Sequence, residues 1–174
     1  ERLVCIAGFA TGNPKTHIRI TAALDMVGGS GKSAPITNNY SGIFDGGGHT
    51  ISNLVIIRPT TTNQALIGTA GNCTVKNLTL DETCYIEGAG YTAGFVGQTN
   101  GAVTILLEGL VMKGNVVANG INAAGIWGCN MGNAAKAYIK NCGVTGAIKG
   151  NDQTSAFSGY AGTGHKTVLE NCWF

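Results

Sequence analysis

The sequence predicts an all-β solenoid, a chain wound into stacked turns of short parallel strands, and three observations carry that prediction. A six-residue phrase recurs five times, with its Asn/Gly position at 53, 77, 109, 141 and 171, so the steps are 24, 32, 32 and 30 residues. A second, glycine-flanked phrase recurs four times in step with it. The composition is rich in glycine and poor in charge, with 28 Gly, 3 Pro and 11% charged residues among 174. A fixed period in this range marks a repeat architecture, because one such unit cannot bury its apolar face alone. Apolar residues reach 44% and recur periodically, which excludes a disordered chain.

The formal charge is +2 and no run of Lys or Arg occurs, which argues against nucleic acid or a membrane surface as partner. No apolar run approaches the roughly 20 residues of a membrane helix. Six cysteines, at 5, 73, 84, 129, 142 and 172, show no C-x-x-C spacing and no nearby His, so neither zinc nor another cofactor is expected. Glu1 stands where an initiator Met would, which reads as a processed, excised or incompletely sequenced chain; a removed signal peptide would explain it.

In chain order, residues 1–39 read as an irregular N-terminal coil or cap and residues 40–174 as the repeats of a single domain. Leu3-Val4-Cys5-Ile6 is a short strand or part of the cap. His17-Ile18-Arg19-Ile20-Thr21 alternates as a strand does, and Leu24-Asp25-Met26 continues it around a bend. Gly28-Gly29-Ser30-Gly31-Lys32-Ser33 is a loop. It is not a phosphate cradle, because Met26 stands where the pattern needs Gly and Pro35 follows where a helix must begin. Asp45-Gly46-Gly47-Gly48 is a tight turn in which the Asp45 carboxylate accepts hydrogen bonds from the glycine backbone. The bland reading of Asp45 and His49, a turn residue and a surface His, outweighs an acid/base pair.

The first phrase is written Ile51-Ser52-Asn53-Leu54-Val55-Ile56. It returns from Val75 to Leu80, Leu107 to Met112, Ile139 to Val144 and Leu169 to Phe174. Its first and fourth positions are both apolar. In a straight strand, residues three apart face opposite ways, so a bend at the Asn is needed to turn both inward. Asn tolerates the left-handed backbone, as does the Gly at 109. The expected ladder stacks Asn53, Asn77, Asn141 and Asn171 as the bend column, and Leu54, Leu78, Leu110, Cys142 and Cys172 as an inward column. The second phrase is Ala65-Leu66-Ile67-Gly68, Gly94-Phe95-Val96-Gly97, Gly125-Ile126-Trp127-Gly128 and Ala156-Phe157-Ser158-Gly159. Its second position is always large and apolar and faces the core; its mixed third position is expected to face out. A third segment places Ile86, Val116 and Ile148 inward. The expectation is therefore three short strands per coil and about five to six coils.

The stretch from Tyr40 to Ile56, "YSGIFDGGGHTISNLVI", resembles the opening of many bacterial surface β-helix proteins. The later "GFVG", "GIWG…IKNCGVTGAIKG" and "AFSG…LENC" resemble the GLUG-motif repeat of secreted and surface proteins, over roughly residues 18 to 174. Residues 109, 156 and 158 depart from the pattern. The resemblance implies a right-handed parallel β-helix, extracellular or cell-surface, adhesin-like, with the repeats as spacer or binding surface.

Cys142 and Cys172 share one column in adjacent coils. Two readings stand, small buried hydrophobes or a disulfide within reach across neighbouring strands. Tyr85, Tyr91, Trp127 and Tyr160 fall at outward or corner positions and are the candidate binding aromatics, for glycans or a partner surface. The nine acids are dispersed and the three His lie in unrelated coils, so no catalytic constellation and no metal set is expected, and the chain reads as a non-enzyme. The last phrase stops at Phe174, which reads as a fragment of a longer protein or as an end that docks another copy. The expected function is an extracellular structural or adhesive module, self-stacking head to tail into a fibre, its partners being other copies, flanking domains, glycans or a host surface. The alternative is a carbohydrate-binding or carbohydrate-active β-helix protein.

Overall fold

The computed structural model describes residues 10, 12–27, 35–36, 39–132 and 134–174. The apolar run at residues 3–6, Cys5 and the loop at 28–33 lie outside the described residues. Every element that can be followed over two or more described residues is a β-strand, and all strand pairs are parallel.

A partial rung comes first, β1 (Ile18–Arg19) and β2 (Leu24–Asp25). One turn holds β3 (Ile43–Ser52), β4 (Val55–Arg58) and β5 (Ile67–Ala70). The next holds β6 (Cys73–Leu80), β7 (Tyr85–Gly88), β8 (Thr92–Ala93) and β9 (Val96–Thr99). It is followed by β10 (Thr104–Met112), β11 (Asn115–Ala118), β12 (Ile121–Ala124) and β13 (Trp127–Asn130). The last full turn is β14 (Lys136–Lys140), β15 (Gly143–Val144), β16 (Ile148–Lys149), β17 (Asp152–Ser155) and β18 (Ser158–Ala161), and β19 (Lys166–Glu170) begins another rung. Like strands of successive turns stack into four sheets. The large one runs β1-β3-β6-β10-β14-β19, with β2 and β15 alongside; the others run β4-β7-β11-β16, β8-β12-β17 and β5-β9-β13-β18.

The solenoid expectation is thus met, with two corrections. There are about four turns, not five to six, and four sheets around the axis, not three. The extra sheet is made by a second left-handed corner at Asn63, Tyr91, Asn122 and Gln153, with φ of 61°, 53°, 64° and 52°. The strand beyond it is as short as Thr92–Ala93 and shows no periodicity in the sequence.

Burial follows the stacking. Phe44, Val75, Leu107 and Ile139 stand in register on successive turns and are fully buried. Each such side chain contributes about 1.5–3 kcal/mol when removed from water. The column continues to Ile18 below and Leu169 above. Ile86 and Val116 are buried as expected, joined by Ile56 below, with Ile148 half-buried above.

The first copy of the phrase falls out of frame. Val75 pairs with Phe44, and Ile51 pairs with Leu80. Asn53 and Leu54 therefore do not belong to the ladder of Asn77 and Leu78. Within β3 the register also shifts: Asp45 faces Lys76 and His49 faces Leu78, so the three glycines 46–48 lie opposite the single residue Asn77. The short first step of 24 residues arises because the first copy sits further along its turn than the later copies do, at the Asn53 corner, with Ile51 beside Leu80 and not Val75. The remaining ladder stands as expected, with Leu78, Leu110 and Cys142 buried and Cys172 half-buried at the end.

The second phrase needs a correction too. Leu66, Phe95, Ile126 and Phe157 are buried, but so are Ile67, Val96 and Trp127, which were expected to face out. The chain bends at Gly125-Ile126, just before Trp127, so strict alternation fails and consecutive residues both enter the core.

Candidate functional site

The richest polar feature lies on the outer face of the large sheet. Each long path across this sheet is bent by one left-handed residue: Asn77, Gly109, Asn141 and Asn171 have φ of 55°, 62°, 54° and 51°. Asn is favoured there because its short polar side chain offsets the steric cost of left-handed geometry. The side chains also bond along the column, Asn171 Nδ2 donating to Asn141 Oδ1 at 3.3 Å. In β3 the Asp45–Gly48 turn replaces the Asn. The Gly47 amide donates to Asp45 Oδ1 at 2.9 Å, and Asn77 Nδ2 reaches the same oxygen at 3.3 Å. Gly47 and Gly48 take φ of 62° and 78°, which their lack of a Cβ permits.

Asn53 is left-handed as well, at 57°, but serves a different corner. Its Nδ2 donates to Asp25 Oδ1 at 2.8 Å and its amide to Thr83 Oγ1 at 2.7 Å. Asp81 closes that corner, accepting from the Ser52 and Thr83 hydroxyls and the Thr83 amide.

One residue before the bend runs a column of charge. Arg19 pairs with Asp45, Asp45 with Lys76, Lys76 with Glu108, Glu108 with Lys140, and Lys140 with Glu170. The sign alternates at every step. Lys76 Nζ lies 3.7 Å from Asp45 Oδ2, and Lys140 Nζ lies 2.8 Å from Glu170 Oε2. The Gly47 amide, then Asn77, Lys76 and Arg19, hold the Asp45 carboxyl below the usual range against a smaller desolvation effect. The hydrogen bond to Glu170, helped by the charges of Glu170 and Glu108, raises Lys140. Beside this column lies an open groove of about 430 Å³, lined by Arg19, Asp45, Gly47, Gly48, Asn77, Leu78, Thr79 and Gly109.

Comparison with known proteins finds no matching family model, no curated relative and no matching solved structure.

The aromatics chosen from the sequence do not converge. Trp127 is 1% exposed in the core and its Nε1 has no hydrogen-bond partner, which removes it from any binding surface. Tyr160 is exposed on β18, in the sheet opposite Cys129. Tyr85 lies on β7 and donates its hydroxyl to Glu87 Oε2 at 3.1 Å. Tyr91 occupies the second left-handed corner.

The five described cysteines are free thiols. Cys142 behaves as a small buried hydrophobe, its Sγ donating to Lys140 O at 3.2 Å, and burial pushes its pKa up to about 11. Cys172, next in the column, donates to Ile139 O at 3.4 Å. Among the described residues no three His, Cys, Asp or Glu side chains are grouped to hold a metal, and no helix is long and apolar enough to cross a membrane.

The charge column is the feature that sequence reasoning missed. Its signal was present in the second position of the phrase, Lys76, Glu108, Lys140 and Glu170. The misframed first copy put Ser52 where Asp45 belongs and so broke the alternation.

Proposed function

We propose that this chain is a structural module, a rigid section of β-solenoid without catalytic activity of its own, that joins to further copies along its axis. The observation that carries the reading is the stacking itself. Every turn is held to the next by parallel pairing over buried columns, and β16, β17, β18 and β19 each have one edge without a strand partner among the described residues. Such an edge is a template for another parallel turn. The extracellular, adhesive part of the proposal rests on the GLUG-repeat resemblance alone. The test is size-exclusion chromatography with light scattering over a concentration series, followed by electron microscopy. Concentration-dependent growth and fibres of uniform width are expected; a monodisperse monomer at every concentration overturns the reading.

One observation favours a second reading, a carbohydrate-binding module: the polar groove beside Asp45, with Arg19, Asn77 and Thr79 presented to solvent. Titration calorimetry with a panel of oligosaccharides, with Asp45→Ala as control, tests it. Heat that is equal in the variant rejects the groove.

A further inference from the structure

We infer that the outer face of the large sheet is a docking surface for a second copy of this chain, the two coils side by side and running in opposite directions, with Lys76 of each copy against Glu108 of the other. The contact uses the side of the coil. It is separate from joining along the axis and holds whatever precedes or follows these residues.

The first argument is charge. Up this face the column reads Arg19, Asp45, Lys76, Glu108, Lys140, Glu170, cation and anion in strict turn. Reversed, it reads anion first, so the column is its own complement. A two-fold axis along the strands, midway between Lys76 and Glu108, reverses the rungs and lays each column on its own copy. Every charge then meets its opposite: Lys76 meets Glu108, Asp45 meets Lys140 and Arg19 meets Glu170. Laying like rung on like rung would oppose like charges at every step, so the column selects the antiparallel arrangement. Glu108 also has acceptors to spare. Among the described residues neither Lys76 nor Lys140 forms an ion pair with it.

The second argument is independent of charge. Beside the charges runs an outward column of Ile43, Thr74, Leu106, Tyr138 and Val168. All but Thr74 are apolar or aromatic. Ile43 is 36% exposed, and Leu106, Tyr138 and Val168 are only half-buried. A contiguous apolar stripe on an outward face marks a contact surface. The same two-fold sets Leu106 on Thr74 and Tyr138 on Ile43, so this column also covers itself. Sheets stacked face to face lie about 10 Å apart, which leaves room for one such layer from each. Six rungs at about 4.8 Å, with strands as long as the nine residues of β10, make a face of about 700 Å². That is close to the roughly 800 Å² each partner of a stable pair contributes. An isologous contact of this kind closes at two copies.

The test uses the purified 174-residue chain and two charge reversals, Lys76→Glu and Glu108→Lys, each checked for folding by circular dichroism. Sedimentation over a concentration series is expected to show the wild type passing from one copy to two. Each variant alone is expected to pair at least about tenfold more weakly, because the two-fold gives it two like-charge contacts. An equimolar mixture is expected to regain wild-type pairing, since each altered charge then meets an opposite one. The disturbance within each variant's own column persists in the mixture, so only a contact between copies is rescued. Leu106→Gln reads the same face without touching the charges; it is expected to weaken pairing and to gain nothing from mixing. Variants that pair as the wild type does, or a charge mixture no better than either variant alone, overturn the face contact and leave the axial reading in place. Pairing that stops at two copies and responds to the variants supports the face contact and overturns axial joining. A wild type that stays a single copy overturns both.

Discussion

Gly128 is the position at which the packing of one turn on the next is most directly tested. It lies in a column with Gly68, Gly97 and Gly159 at the fourth place of the second phrase. Its backbone φ is not left-handed, so conformational freedom is not the reason for glycine. The reason is space. A Cβ built there would stand 2.5 Å from the Gly97 carbonyl oxygen and 3.0 Å from the Tyr91 carbonyl carbon, both backbone atoms of the turn below. Neither belongs to a flexible side chain, so relief requires the turns to separate. Overpacking of this kind costs typically 1–3 kcal/mol and occasionally more, and with two backbone segments blocked we take about 3 kcal/mol for Gly128→Ala. In a domain of this size each kcal/mol shifts Tm by about 2–4 °C, so a fall of roughly 6–12 °C is expected. Gly101→Ala is the control. Its Cβ would meet nothing within 4 Å, but its φ is +76°, so only the left-handed cost applies. That cost is about 1 kcal/mol, or roughly 2–4 °C. Thermal unfolding followed by circular dichroism measures both. A Gly128→Ala variant that melts within about 2 °C of the wild type, or no lower than Gly101→Ala, refutes the close backbone packing of turn on turn.

Trp127→Ala is expected to cost about 3–5 kcal/mol in chemical denaturation, and Trp127→Phe much less, because the indole Nε1 makes no hydrogen bond; equal losses would show a missed polar partner. Tyr91→Asn is expected to raise Tm by roughly 2–4 °C, since Asn occupies the equivalent left-handed corner at 63 and 122; a lower Tm would mean that the packing of the ring outweighs its backbone cost. Burial pushes the Cys73 and Cys84 thiols up to about 12 and Cys129 and Cys142 up to about 11, from an unfolded value of 9.0. The unfolded chain therefore releases these protons first, and stability that is fully present below about pH 9 is lost as the pH rises toward 11–12. The urea midpoint is expected to be lower at about pH 10 than at about pH 8, and an unchanged midpoint would refute the burial of these thiols.

Much of the fold is legible in the sequence. The Leu78, Leu110 and Cys142 column, the inward Leu66, Phe95, Ile126 and Phe157, and the left-handed Asn77, Asn141 and Asn171 all repeat a chemical requirement at a fixed spacing. The candidate site was much less legible. Asp45 was recognised as a turn residue, and its hydrogen bond from Gly47 is present. Its place in a charge column was hidden because that depends on which residue of another turn stands beside it. Trp127 was misplaced because a bend beside it cancels the alternation from which its exposure was inferred.

The sequence by itself determined that the chain coils, that Asn77, Gly109, Asn141 and Asn171 bend it, and which large side chains most turns bury. These follow from local conformational preference and from apolar spacing within one repeat. Only the tertiary structure decided the frame of the first repeat, because its phrase sits at a different corner of the turn from the later copies, with Ile51 beside Leu80. Only it decided that Arg19, Asp45, Lys76, Glu108, Lys140 and Glu170 form one line of alternating charge. Register between turns is set by backbone pairing across about thirty residues of intervening chain.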